Sequence, residues 1–307
     1  LVQINKKLYT KDVQKSVSKA LTYLSKQYRG KKSLGKAVQM TTTSLAGLAW
    51  LSNGDTMARG KYSQELQRAV KYVLSSQDKR GLISDVGCFS SMHGHGFALL
   101  FLAEVYGTGA PSTKGVGSTN GLDKRIQKAL IDAVHIAEKA QDVSGGWYYT
   151  PDQKQHEGSV AVTVVQGLRA ARNAGIQVNK VVIDKGLKYV AKCHDGQGGL
   201  RYTATTPGRG NVTLGAAGAA SLVFLGNQGK EYQDMIKLMC KRIMREGMPG
   251  RNKMGTWEFY CIFYAAQAMH YRGGKDWDKY YSAMSKYLMK TQNKNGSWTS
   301  NHTYEYG

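Results

Sequence analysis

Three short segments carry side chains able to do chemistry: "MHGHG" (residues 92–96), "QHEG" (155–158) and "TWEFYC" (256–261). His93, Glu157, Glu258 and Tyr260 are the candidate catalytic groups, because an imidazole, a carboxyl or a phenol held near a substrate passes a proton to it or takes one. His93, His95 and Cys261 offer nitrogen and sulfur ligands for a metal ion. The plainer reading is that a His-x-His pair around a glycine at a helix start is a local hydrogen-bonding feature, so no metal and no other cofactor is expected. Glu157 and Glu258 also have a plain role near helix N-termini, where a carboxylate complements the dipole. A second group is cationic: Arg201, Arg209, Arg251 and Lys253 fall in loops that lead into apolar helices, where backbone N–H groups also favour an anion. Such loops suit a diphosphate, a sulfated or uronic sugar, or a phospholipid head group, while the plainer reading makes them as basic as the rest of the surface.

Composition limits what surrounds these groups. The chain has 307 residues, 41% of them hydrophobic, which is ordinary for a globular protein with a large core. No run approaches the roughly 20 apolar residues of a membrane-spanning helix. The formal charge of +22 is spread along the chain instead of forming one arm, and it favours an anionic ligand, polysaccharide, lipid or partner protein. No sequence-specific nucleic-acid signature is present. The four cysteines lack zinc-finger spacing and are expected as free thiols. The first residue is Leu1, so a leading segment is expected to have been removed, and export to the periplasm or beyond the cell is the expected localisation.

Two kinds of helix alternate. Amphipathic stripes recur, such as Leu66, Ala69, Val70 and Val73, then Ile126, Ala129, Leu130, Ala133, Ile136 and Ala137. Three more are expected near residues 180–193, 231–244 and 277–291. Between the stripes lie segments rich in small residues and apolar on nearly every face, among them "HGHGFALLFLAEVYG" and "TLGAAGAASLVFLG". A helix without a polar face is buried all round. The unit recurs about every 50 to 65 residues, and six amphipathic helices against five buried ones describe a double ring, amphipathic outside and buried inside.

The joints repeat as well. Gln141, Gly145 and Trp147 share their spacing with Gln292, Gly296 and Trp298, while Gln77 and Gly81 keep two members and "CHDGQGGLRY" is looser. A glycine permits positive φ, a glutamine bonds exposed backbone groups at the helix end, and an aromatic covers the joint.

Gln-x3-Gly-x-Trp after an amphipathic helix resembles the QW repeat of squalene and oxidosqualene cyclases. The alternation resembles the α/α toroid that those cyclases share with protein prenyltransferase β subunits. Closer in style are bacterial, planctomycete-type proteins with prenyltransferase and squalene oxidase repeats, matched in order by "GGWYYTPD", "LRAARNAGI", "GGLRY" and "YLMKTQNKNGSW". The resemblance implies one all-α α/α-toroid domain over residues 9–307, incomplete at its C-terminus and preceded by an extension over 1–8. It also implies a sixth buried helix after Trp298, which is not in the chain, and hence a gap beside the first and fifth. The cyclases' Asp-rich DxDD motif is missing, and the region around 211–215 lacks the prenyltransferase zinc ligands. The leading expectation is therefore a non-catalytic binding or scaffold protein with a basic rim where the buried helices begin. The alternative is an enzyme acting on an isoprenoid, as a cyclase or prenyltransferase does, or on an anionic polysaccharide, as a lyase does.

Overall fold

The computed structural model describes residues 8–35, 38–108, 121–223, 229–250 and 257–300. Eleven helices, and no strands, are found among them: α1 (Lys11–Tyr28), α2 (Gln39–Ser52), α3 (Ser63–Ser75), α4 (Ser91–Gly107), α5 (Leu122–Ala140), α6 (Gly158–Asn173), α7 (Lys180–Cys193), α8 (Val212–Val223), α9 (Lys230–Glu246), α10 (Glu258–Arg272) and α11 (Gly274–Thr291). Odd-numbered helices are the amphipathic ones and even-numbered helices the apolar ones. The chain divides into two compact units, residues 24–189 and residues 1–23 with 190–307, so that the divisions fall within α1 and α7.

In the continuous unit α4 packs along α6. Small residues permit this approach: a Cβ on Gly96 would lie 2.8 Å from the Thr163 carbonyl carbon, and one on Gly167 would lie 2.7 Å from the Gly96 oxygen. Neither neighbour is a flexible side-chain end, so only glycine lets the two backbones meet. Helix α5 then lays Ile126, Ala129, Leu130, Ala133 and Ile136 onto the core, where each fully buried Leu or Ile contributes about 1.5–3 kcal/mol. The aromatic Trp50 is fully buried against Tyr28 and Tyr62, and Phe101 fills the space over Gly47. Both are ordinary core.

In the discontinuous unit every residue of α8 is buried. Helix α9 presses Met239, Cys240 and Ile243 towards it, and α10 packs against it as well. Five apolar helices are present among the described residues. The middle three are nearly covered, whereas α2 leaves Leu45, Leu48 and Leu51 half-exposed and α10 leaves Phe263 exposed. Residues 301–307 lie outside the described residues.

The joints share one geometry. Gln141 Nε2 donates to its own Gly145 carbonyl and to the Val182 carbonyl in α7, both at 2.9 Å. Gln77 does the same to Gly81 and to Ala129 of α5, and Gln292 to Gly296 and to Ser16 of α1. The glutamine thus ties its turn to the next amphipathic helix, not to the end of its own as the sequence had suggested. Gly145 has φ of 95°, and a Cβ there would lie 2.4 Å from the Lys185 oxygen. Trp147 and Trp298 donate their Nε1–H groups back to Ala137 and Leu288 of the preceding helix.

The joint after α7 departs from this pattern. His194 stands in the glutamine position, its ring nitrogen accepting from Gly198 N. The tie to α9 is made instead by Arg242, whose Nη1 lies 2.9 Å from Asp195 and whose Nη2 donates to Gly210 O at 2.8 Å. Both partners of this ion pair are buried.

Candidate functional site

Within the continuous unit the N-termini of α2, α4 and α6 meet at one rim. Met40 N at the start of α2 donates to Asp85 Oδ2 at 2.9 Å. Met92 N at the start of α4 donates to Tyr149 O, and His93 in the first turn of α4 faces Ser159 in the first turn of α6.

Glu157 is the N-cap of α6, its Oε2 accepting from Val160 N at 3.0 Å. The same oxygen accepts from Ser159 Oγ at 2.5 Å. Ser159 Oγ lies 2.9 Å from His93 Nε2, and His93 Nδ1 lies 2.5 Å from Ser90 Oγ. One proton arrangement satisfies the whole chain: Ser90 donates to Nδ1, the Nε2–H donates to Ser159, and Ser159 donates to Glu157. His93 keeps some exposed surface, yet burial still pushes its pKa down to about 4, so it stays neutral at pH 7. This is not a Ser-His-acid triad, because the carboxyl contacts the serine and not the imidazole.

The other Glu157 oxygen is the unusual atom. Glu157 is 4% exposed, and its Oε1 has no hydrogen-bond partner among the described residues. Burial pushes the carboxyl above the ordinary carboxylate range, against the opposing pull of Ser159 and Val160. A carboxyl that is desolvated on one oxygen and supported on the other is a Brønsted acid whose conjugate base already has donors waiting. Tyr149 tilts over His93 at 5.9 Å, and Phe89, 76% exposed, meets Tyr149 edge-on. An aromatic lip therefore stands beside the relay.

His95 has a different task. Its Nδ1 accepts from Ile83 N at 3.1 Å, which places the proton on Nε2, 3.0 Å from Ala133 O. Burial, partly offset by that last bond, lowers its pKa to about 4. Both nitrogens are thus held by backbone. Cys261 is buried on α10 in the other unit. No group of three or more His, Cys, Asp or Glu side chains suited to a metal ion forms among the described residues.

Two carboxyl groups stand at this rim. Asp85 and Glu157 already take the N–H groups at the starts of α2 and α6, which fills the positions an external anion would want. In the discontinuous unit, Arg201 donates to the Lys192, Cys193 and His194 carbonyls at the end of α7, and Arg209 pairs with Glu246 at 2.7 Å. Their guanidinium groups therefore serve the joint. Arg251 and Lys253 lie outside the described residues. Glu258 opens α10, half-buried, with Tyr260 in the same turn against Tyr264 at 4.7 Å.

Sequence reasoning brought His93 and Glu157 forward but missed the serines that join them. Ser90 and Ser159 sit at helix starts, where serine is commonplace as a cap, so nothing in the sequence marks them. Asp85 and Tyr72, 2.7 Å apart, are 13 residues apart in sequence, and nothing in their spacing joins them.

No protein-family model matches the chain, and neither does any curated protein. Solved structures do match. The type II terpene cyclase MstE from Scytonema, in its apo form, superposes with a TM-score of 0.59 at 14% identity over 94% of this chain and 82% of that one. A variant of MstE, in complex with its substrate geranylgeranyl dihydroxybenzoate, gives 0.60 at 13% identity over 96% and 83%. The fold is therefore the α/α toroid of the terpenoid cyclases.

Proposed function

From this toroid fold we propose that the protein acts on an isoprenoid or other prenylated ligand, with the Glu157 carboxyl as the proton donor that begins the reaction. The observation that carries the reading is the unpartnered, buried Oε1 of a carboxyl whose proton affinity is raised. The likeness to a cyclase crystallised with a prenylated aromatic acid supports the choice of ligand class. The enzyme reading is thereby preferred to the scaffold reading.

Proton transfer from Oε1 to a trisubstituted double bond forms a C–H bond and leaves a tertiary carbocation. The electron pair of the broken O–H bond stays on Glu157. The resulting carboxylate is stabilised where it stands, by the Ser159 hydroxyl, the Val160 N–H and the N-terminus of α6. His93 is neutral, holds the Ser159 hydroxyl in its donating orientation and takes no proton itself. A neighbouring double bond attacks the cation, a C–H bond of the resulting cation then gives its proton to water, and Glu157 regains a proton from solvent, which completes an isomerisation in which substrate and product have equal mass. No Asp-rich motif is needed, because the acid is supplied by the α6 cap.

Incubating the full chain with farnesyl- and geranylgeranyl-bearing aromatic acids tests this, with products followed by chromatography and mass. An isomer of unchanged mass is expected from wild type. Glu157→Gln should bind the ligand and lose about 10²–10⁴-fold in turnover, the usual range for general acid catalysis. Infrared titration of wild type against Glu157→Gln should place a carboxyl midpoint above about 4.3, the ordinary glutamate value. Undiminished turnover by Glu157→Gln, or no binding of any prenylated ligand, defeats the reading.

A further inference from the structure

A cleft of about 860 Å³ opens in the continuous unit between the start of α2, the end of α3 and the loop that enters α4. It is separate from the Glu157 carboxyl, and its chemistry follows from where its hydroxyl hydrogens point. Ser75 and Ser76 both donate to Tyr72 O. Ser84 donates to Asp85 O and Ser91 to Tyr149 O. The Tyr72 hydroxyl donates to Asp85 Oδ1, and Thr150 donates to Gln153. Six lining hydroxyls therefore have acceptors within the protein, and each keeps lone pairs that can take a hydrogen bond from a ligand.

The two lining amides differ: Gln39 takes Ser33 and Tyr72 on its Oε1, which leaves its N–H groups available as donors. Gln77 places its amide hydrogens on two backbone carbonyls. Three carboxylates, Asp78, Asp85 and Asp152, line the cleft against one guanidinium, Arg80, which is itself held by Asp78 and Asp152. In a chain of formal charge +22, this wall accepts hydrogen bonds and favours positive charge. It repels sulfated and uronic sugars, whose charge has the wrong sign. The cleft also has an apolar part, Leu82, Val86 and Pro151, suited to the C–H face of a ring. Its volume falls within the range of small-molecule sites.

We propose that this cleft binds a polyhydroxylated organic cation of the amino-sugar class, the ammonium group towards Asp85 and Asp152 and the hydroxyls donating to the serine oxygens. The site stands independently of the acid chemistry at Glu157.

Isothermal titration of the full chain with a glucosamine trisaccharide at pH 6, where its amines are charged, provides the test. Saturable binding is expected, weakened at least about tenfold when the N-acetylated trisaccharide, neutral and otherwise similar, replaces it. Asp152→Asn, at an exposed carboxylate whose side chain is 73% accessible, should weaken binding several-fold without touching the fold. Asp85→Asn should weaken it more, and its circular dichroism shows whether α2 keeps its start. Glu157→Gln should leave the affinity unchanged. Equal binding of the N-acetylated sugar removes the cationic requirement, and equal or tighter binding of spermidine removes the sugar. Absence of binding, or unchanged affinity in both aspartate variants, overturns the assignment of this cleft.

Discussion

Replacing Gln141 by Met keeps the length of the side chain and removes its N–H groups. Two carbonyls, Gly145 O and Val182 O, then lose donors now at 2.9 Å. A buried acceptor left unsatisfied costs about 1–3 kcal/mol. The glutamine is only half-buried and water reaches part of the site, so the two losses together come to about 2–3 kcal/mol. Gly145→Ala acts on the same joint by another route. A left-handed backbone costs a non-glycine residue about 1–2 kcal/mol, and the new methyl group would sit 2.4 Å from the Lys185 oxygen and 2.8 Å from its carbon. Backbone atoms cannot rotate away, so the loss should exceed that of Gln141→Met. Trp147→Phe removes one bond, to Ala137 O, and should cost less than either beyond the smaller ring. Urea unfolding followed by circular dichroism measures all three. With a slope of about 2–3 kcal/mol per molar, Gln141→Met should lower the midpoint by about 1 M and Gly145→Ala by more. Midpoints that match wild type in both variants would refute the idea that these turns hold one amphipathic helix to the next.

The joint after α7 should be the most sensitive to loss of charge. Arg242→Met takes the counter-charge from Asp195, whose side chain is 2% exposed, but leaves it the Gln197, Gly199 and Gly210 N–H donors, and should cost about 3 kcal/mol, the low end for a broken buried pair. Arg209→Ala breaks a pair whose arginine is 54% exposed and should cost no more than about 1 kcal/mol; similar urea midpoints for the two would contradict the difference in burial. His95 binds its proton less tightly folded than unfolded, with pKa about 4 against 6.5. Its contribution to stability is therefore present above pH 6.5 and lost as pH falls towards 4. At about 1.36 kcal/mol per unit, that is about 3 kcal/mol. Nuclear magnetic resonance of the His95 imidazole should show no titration until about pH 4, and a midpoint near 6.5 would remove the argument.

Periodicity alone revealed the helices, because a stripe such as Ile126, Ala129, Leu130 and Ala133 has few other uses and each of these residues is buried. The joints were visible too, since glycine is required where φ is positive and a carbonyl lies 2.4 Å from the missing Cβ. Which backbone Gln141 reaches was not visible, because Val182 is 41 residues away and only the packed fold brings it near. The partners of the loop arginines were hidden for a related reason. Lysines and arginines before the apolar helices suggested a basic edge, but charge in sequence does not say whether a side chain faces solvent or a carbonyl, and Arg201 faces three carbonyls. Asp85 and Ser159 act through partners far along the chain, Met40 and His93, so neither stood out.

In the proposed reaction the Glu157 carboxyl delivers its proton to carbon. Turnover of a prenylated aromatic acid in deuterated water measures that step directly, because the carboxyl exchanges with solvent before it reacts. A product carrying one deuterium at the carbon that is protonated is expected from wild type, and none of that product from Glu157→Gln. A product without deuterium, or the same labelled product from Glu157→Gln at the wild-type rate, would contradict it.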